Sequence, residues 1–274
     1  MKKKIFPILV LYKCSLLSSR TYCSLLKDAK GVQHFLIYDN SPSDFKQILS
    51  QNPEEALYIR DTNNSGLSVA YNKGAEIAKN LGYSHVLLLD QDTLFPKEAW
   101  DIYNSSLNFN GLIAPLMVTD KGVAFSPASI SGWRSKAVKV EPGIYTLSEY
   151  SVVNSGMCVP IDLFNRAGGY DYKVYLDYSD YQFQKRLRRV NSSLLIMPFT
   201  AQQDFSADCK DYKKLLARYE IYLDCATNFI VEGIKEYIDL LFAVFKHTLM
   251  LSLRTKKIIF IRKFITQFLL KKSK

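Results

Sequence analysis

Val86-Leu87-Leu88-Leu89 runs without a polar interruption into Asp90-Gln91-Asp92-Thr93. A short all-apolar run of this kind reads as a strand buried on both faces. Carboxylates are kept out of such a strand, so Asp90 and Asp92 belong at its carboxyl end, the rim where open α/β sheets bind ligands. Alternate residues of a strand point the same way, about 7 Å apart. Two carboxylates so placed can share one hard divalent cation, which in turn can hold phosphate oxygens. They can equally begin an ordinary loop, and the run by itself leaves both readings open.

The stretches before it set the context. Ile5 to Tyr12, His34 to Tyr38 and Ala56 to Arg60 read as three further strands, with helices over Leu16 to Ala29, near Phe45 to Ser50, and from Ser68 to Asn80. Strands alternating with helices imply right-handed crossovers and a mainly parallel sheet. After Pro96 a helix should run to Leu107. The pattern then loosens into β-like pieces at Leu112–Val118, Val123–Ser126 and Val152–Val159, with helices at Ile161–Arg166, Asp177–Arg189 and Lys210–Ile230. The economical division is a domain over 1–230, with a nucleotide-binding half at 1–110 and an acceptor half at 111–205, followed by a helical tail at 231–274.

Composition narrows the class. At 274 residues, 48% hydrophobic and 13% aromatic, the chain can bury a sizeable core and shows little sign of long disorder. Five cysteines without a C-x-x-C pair favour reduced thiols, and three scattered histidines suggest no zinc site. Lys2-Lys3-Lys4 followed by only seven apolar residues, Pro7 among them, does not read as a secretory signal. The net charge of +10 is uneven: residues 254–274 carry eight Lys and Arg and no acid. Leu240 to Leu253 is too short, and too interrupted by Lys246 and His247, to span a bilayer. With the apolar residues between Ile258 and Leu269 it reads as amphipathic helices lying on an anionic membrane surface, or as helices packed on their own domain or on a partner.

Three further stretches could carry chemistry. Asp39-Asn40-Ser41 ends the second strand, where an acid can meet a base or a ribose, although the same residues make an ordinary turn. Asn64 to Gly74 sets small residues at a helix start and along one face, permitting close approach to a ligand or to the sheet. It is neither a Walker loop nor a G-x-G-x-x-G loop, which argues against kinase-like ATPases and NAD dehydrogenases. Asp177 and Asp180 lie on one helix face. Asp177 suits the N-cap, whereas Asp180 suits a general base acting on an acceptor hydroxyl.

In order, Val10-Leu11-Tyr12, Asp39-Asn40-Ser41, Asn64-x-Gly66-x-x-x-Ala70-x-Asn72-x-Gly74, Leu89-Asp90-Gln91-Asp92, Ser155-Gly156, Gly168-Gly169-Tyr170-Asp171 and Asp177-Tyr178-Ser179-Asp180 with Arg186 resemble the motifs of family 2 glycosyltransferases, over about residues 5–230. The Asp-Gln-Asp-Thr and Asp-Tyr-x-Asp forms resemble the rhamnosyltransferase-like branch. The resemblance implies a GT-A fold: a Rossmann-like, mostly parallel α/β sheet flanked by helices, here with a C-terminal helical extension. It implies donor binding by Tyr12, Asp39 (at the base), Asn64, Gly66, Asn72, Asp90 and Gln91. Asp90 and Asp92 would hold Mn²⁺ or Mg²⁺, with Asp92 the direct ligand. Asp180 would be the catalytic base, and Ser155, Gly156, Asp177 and Arg186 would lie on the acceptor side. Many relatives carry a late His near the metal, where this chain has Gln203.

The function so implied is inverting transfer of a sugar, with L-rhamnose from dTDP-L-rhamnose the first expectation and a UDP-hexose or UDP-galactofuranose the alternative. The acceptor would be lipid-linked or a polysaccharide of the cell surface, met at the cytoplasmic face of the membrane, with the basic tail on anionic lipid and no nucleic-acid partner. A nucleotidyltransferase would want a Gly-rich basic loop near the N-terminus, and Tyr12-Lys13-Cys14-Ser15 supplies none. A non-catalytic nucleic-acid- or membrane-binding protein would rely on the basic tail alone.

Overall fold

A computed structural model of the chain describes residues 3–45, 53–131, 134–203 and 211–272. Strands β1 (Ile5–Leu11) and β2 (Phe35–Asp39) are buried along their whole length. They join β3 (Ala56–Arg60) and, after helix α1 (Leu67–Asn80), β4 (His85–Asp90) in a parallel block of order β3-β2-β1-β4. Residues of β4 alternate between two cores, Val86 and Leu88 facing one layer and Leu87 and Leu89 the other, as a strand covered on both sides requires. On one side α1 lies so close that a Cβ at Gly74 would come 2.4 Å from the Ile8 side chain.

The helix expected over Leu16 to Ala29 is instead a 3₁₀ turn at Leu16–Ser18 and a π-helical segment at Tyr22–Leu26. Hydroxyls of Ser19 and Thr21 donate to the backbone carbonyls of Gln91, Asp90 and Thr93. These bonds tie the segment to the turn after β4, and the Ser19 hydroxyl also accepts from the Tyr22 N–H at 3.2 Å, a local bond of the kind that competes with regular helix geometry. The helix expected near 45–50 falls almost wholly outside the described residues.

The second half extends the sheet and alters its polarity. β5 (Thr93–Leu94) and α2 (Ala99–Ser106) lead to β6 (Leu112–Thr119), the small strands β7 (Ala124–Ser126), β8 (Ala128–Ser131), β9 (Arg134–Ala137), β10 (Gly143–Thr146) and β11 (Tyr150–Ser151), and then β12 (Met157–Pro160). β12 wedges antiparallel between β4 and β6. The strand expected over Val152 to Val159 is broken at Asn154–Gly156, where the N–H of Met157 donates to the carbonyl of Asn154. Helices α3 (Ile161–Arg166) and α4 (Ser179–Leu187) cover the α1 side, and β13 (Ser193–Gln203) pairs parallel with β6. The main path reads β10-β13-β6-β12-β4-β1-β2-β3, while β11, β8 and β9 make a separate small sheet.

The C-terminal helices build a third core. α5 (Tyr212–Asn228), α6 (Ile234–Thr255) and a final helix, α7 (Ile259–Lys263) running through a π-helical stretch into α8 (Leu270–Lys272), bury Tyr219, Leu223, Val244, Leu251, Phe260 and Phe268 together. Lys185 of α4 fastens this unit to the domain: its ammonium meets Glu236 at 2.5 Å and donates to the Ile230 carbonyl at 2.9 Å. Among the described residues no helix is long and apolar enough to cross a membrane.

Candidate active site

The ends of β1 and β4 form a shared rim. Gln91 binds the backbone of Tyr12 at both ends of its amide: Oε1 accepts from the Tyr12 N–H at 2.7 Å, and Nε2 donates to the Tyr12 carbonyl at 3.3 Å. Gln91 therefore couples two strand ends, and it leaves the Tyr12 ring exposed at the rim. The Ser155 hydroxyl lies 2.7 Å from Thr93 Oγ1 and accepts from the Asp90 N–H at 3.3 Å.

β4 ends at Asp90 and a turn at Gln91–Asp92 follows, so strand alternation does not reach Asp92; the two acids nonetheless meet on one side of the rim, at the Gln203 amide. The Tyr71 hydroxyl, buried on α1, donates to Asp90 at 3.0 Å, while Gln203 Nε2 donates to Asp92 at 2.9 Å and reaches Asp90 at 3.4 Å. Burial first, and then the charge of Asp92, push the Asp90 carboxyl up to about 7, against the hydrogen bonds from Tyr71 and Gln203; Asp180 adds a smaller push. A crowded pair of oxygen acids fits a hard divalent cation. Among the described residues no group of three or more His, Cys, Asp and Glu gathers around it. The third place belongs to Gln203, whose amide carries a carbonyl oxygen as well as its donor nitrogen.

Asp180 opens α4 and accepts from the Tyr181 N–H at 2.7 Å. Burial raises its carboxyl to about 6, which keeps the ionised form available near neutrality. Tyr71 and Tyr170 pack with ring centroids 5.2 Å apart, and the charges of both Asp90 and Asp180 help to raise their hydroxyls above the usual range, after burial. Asp180 also lines a cavity of about 550 Å³, a size typical of ligand pockets. Tyr178, Tyr181 and Phe229 supply aromatic surface there, and Lys235, Asp239 and Leu240 of α6 form part of the wall.

Several expected site residues have partners within the fold. Asn72 holds the loop at Tyr170: its Nδ2 donates to the Tyr170 carbonyl at 2.8 Å and its Oδ1 accepts from the Tyr170 N–H at 2.8 Å. Asp177 does not cap α4, because Tyr178 occupies the N-cap in a left-handed conformation. It makes a two-pronged ion pair with Arg218 of α5, one contact at 2.8 Å. Arg186 turns back to the Gly169 carbonyl. Ser155 and Gly156 are buried under the rim, Gly156 taking the Tyr103 hydroxyl on its carbonyl at 2.6 Å. None of these five residues lines the cavity beside Asp180.

Asp39 is fully buried. Its oxygens accept from the Ser41 N–H at 2.9 Å and the Tyr58 hydroxyl at 2.7 Å, so a base must compete with Tyr58 to reach it. Asn64 and Gly66 lie in the loop that enters α1, where a Cβ at Gly66 would come 2.6 Å from the Tyr175 carbonyl. Tyr71, Tyr181 and the α6 wall were not anticipated. Tyr71 sits on the apolar face of α1 and shows its function only by the partner at the tip of its ring. The wall contributed by α6 depends on tertiary packing, which has no local signal.

A parallel β3-β2-β1-β4 block, an antiparallel strand wedged beside it and an acid pair at the rim define a GT-A fold, the architecture of nucleotide-sugar glycosyltransferases. Residues 8–102, from within β1 to the middle of α2, match the glycosyl transferase family 2 model and include Asp39, the Asn64–Gly74 motif and Asp90-Gln91-Asp92. The structure is similar to that of GalNAc-T7 with UDP, GalNAc and Mn²⁺, at a TM-score of 0.56 and 11% identity, over 86% of this chain and 53% of that one. It is also similar to S. aureus TarS 1-349 in complex with UDP, at 0.54 and 14% identity over 86% and 68% of the two chains. A longer S. aureus TarS structure gives 0.53 and 15% identity over 89% and 43%. The chain thus spans about half the length of the GalNAc-T7 chain, and at these identities the likeness is one of fold. Comparison with curated proteins gives no match.

Proposed function

We propose that the protein is a glycosyltransferase that moves a sugar from a nucleoside-diphosphate sugar to an acceptor hydroxyl in one inverting displacement. The observation that carries this reading is the pairing of two acid sites: Asp90 and Asp92, which share the Gln203 amide at the rim, and Asp180, which lines a ligand-sized cavity. GalNAc-T7 binds UDP, GalNAc and Mn²⁺ in its structure, and TarS binds UDP, which supports a nucleotide-sugar donor. Asp90 and Asp92 would hold Mn²⁺ or Mg²⁺, and Gln203 stands where a third ligand would come. When bound, such a cation neutralises charge on a departing diphosphate.

The chain's own groups then divide the work. Asp180 accepts the proton of the acceptor hydroxyl as its oxygen bonds to the anomeric carbon and the bond from that carbon to the diphosphate breaks. Tyr12 offers an exposed ring at the rim to the nucleotide base. Asp39 meets the base by displacing Tyr58, and Asn64 and Gly66 lie at the donor end of α1.

The donor is dTDP-L-rhamnose on the motif forms, with UDP-hexose or UDP-galactofuranose as the alternative. A lipid-linked or polysaccharide acceptor at the cytoplasmic face of the membrane fits a basic C-terminal segment that meets anionic lipid. The test is a donor screen that follows nucleoside-diphosphate release with and without EDTA. Release from one of these donors, lost on chelation, is the expected result; no release from any nucleotide sugar would overturn the reading.

A further inference from the structure

Helix α6 presents three different faces, which can be read from its turn of about 100° per residue. Val244 and Leu251 enter the third core. Lys235, Glu236, Asp239 and Ala243 wall the cavity beside Asp180. A third row, Ile234, Ile238, Phe242, Phe245, Leu249 and Leu253, is exposed along the helix, from 80% at Ile234 to 41% at Leu249, with the Phe245 ring also resting against Phe264. Single exposed apolar residues need no explanation, but a continuous row of six along one helix marks an interaction surface.

Charge identifies the partner. From the start of α6 to residue 272 the chain carries nine Lys and Arg against two acids, Glu236 and Asp239, of which Glu236 is paired with Lys185. Lys235 and Lys246 follow the edge of the apolar row in helical rotation, where their stems can lie along an apolar phase while the ammonium stays in water. An apolar stripe with a basic border is the pattern of a helix lying in the headgroup region of an anionic bilayer. The row occupies only one face and the helix does not qualify as a span, so it seats on the bilayer without crossing it.

The cavity face and the outward row are neighbours on the helix, with Lys235 and Asp239 between them. On the inner side, Tyr178, Tyr181 and Phe229 give flat apolar surface, while Asp180, Arg188, Lys235 and Asp239 bring both signs of charge. Mixed donors and acceptors over aromatic surface suit the hydroxyls and C–H faces of a sugar ring better than a polyanion.

We propose that α6 seats the protein on an anionic bilayer through this row and, as a wall of the cavity, opens Asp180 to a sugar carried on a lipid of that bilayer. The proposal rests on the glycosyltransferase reading for Asp180, but the seat itself does not. Flotation with phosphatidylcholine vesicles and with vesicles containing phosphatidylglycerol tests the seat. Binding about tenfold stronger to the anionic vesicles is expected, reduced about tenfold by Phe242→Asp with Phe245→Asp, with the far-UV spectrum unchanged. No vesicle binding, binding indifferent to the variant, or a dimer dispersed by the variant would each overturn it.

Quenching by bromolipids tests the cavity. Phe242→Trp should be strongly quenched relative to the wild type with its two tryptophans, and Asp239→Trp quenched to a lesser degree. An unquenched Asp239→Trp would turn the cavity mouth away from the lipid and overturn that half. Nucleotide binding, measured in parallel, separates the two readings: its absence condemns the transferase, whereas vesicle binding alone decides the seat.

Discussion

Gln203 Nε2 lies 2.9 Å from Asp92 Oδ1: the last residue of β13 hands a hydrogen-bond donor to the rim acids. An amide can do so only with its nitrogen turned inward, and a cation in the same place would need the carbonyl oxygen. Gln203→His, which substitutes a better metal ligand, should raise Mn²⁺ affinity about tenfold or more. Gln203→Leu, which supplies no ligand, should lower it. Titration calorimetry with Mn²⁺ checks both; equal affinity in all three proteins would remove Gln203 from the site.

Asp180 gives the reaction its pH dependence. A base must be ionised, and burial holds this carboxyl at about 6, so the rate should climb with pH and level off above roughly that value. The effect on stability has the opposite sense. The folded form keeps its proton to higher pH than the unfolded chain does, so stability falls as pH rises from about 4 to about 6. Asp180→Asn should lower turnover by about 10²–10⁴-fold, leave nucleotide affinity nearly unchanged and remove that acidic limb from the stability curve.

Asn72 holds Tyr170 by two backbone hydrogen bonds. Asn72→Ala leaves that N–H and carbonyl without partners, at a cost of about 1–3 kcal/mol. Denaturant unfolding should show the loss, whereas nucleotide affinity measured below the transition should stay close to wild type. A large loss of affinity with unchanged stability would return Asn72 to donor binding.

The Asp177–Arg218 pair joins the approach to α4 to α5 across a half-exposed surface, with Arg218 50% and Asp177 22% accessible. Water screens such pairs, so a double-mutant cycle of Asp177→Asn and Arg218→Gln should give a coupling of about 0.2–1 kcal/mol. The same cycle on acceptor KM should show no coupling, because neither residue lines the cavity.

The parallel block was legible because its strands are short apolar runs whose neighbours are acids, glycines and turn residues, each a local signal. Asp90, Asp92 and Asp180 were legible for the same reason: their positions follow from a strand end and a helix start. The partners of Asn72, Asp177 and Arg186 within the fold were not legible, because a polar side chain near a motif looks the same whether it faces a ligand or a distant group of the chain. Only the fold brings Tyr170 to Asn72 and Arg218 to Asp177. The π-helical segment after β1 escaped detection because the groups that Ser19 and Thr21 bind lie in the turn after β4, far along the chain, and leave no local signal. The cavity had no sequence signature, since its walls come from α4, the β7–β8 strands and α6.

Ser155 and Gln203 finish a rim whose acids stand at the end of β4 and in the turn after it. During synthesis the first hundred or so residues can emerge and begin to pair, yet the hydroxyl beneath Asp90 arrives 65 residues later and the amide beside Asp92 arrives 111 residues later. Long-range closures of this kind come late in folding. A nascent chain halted before β13 would therefore carry an unfinished rim, and fragments ending near residue 110 should neither bind nucleotide nor compete with the whole protein for it.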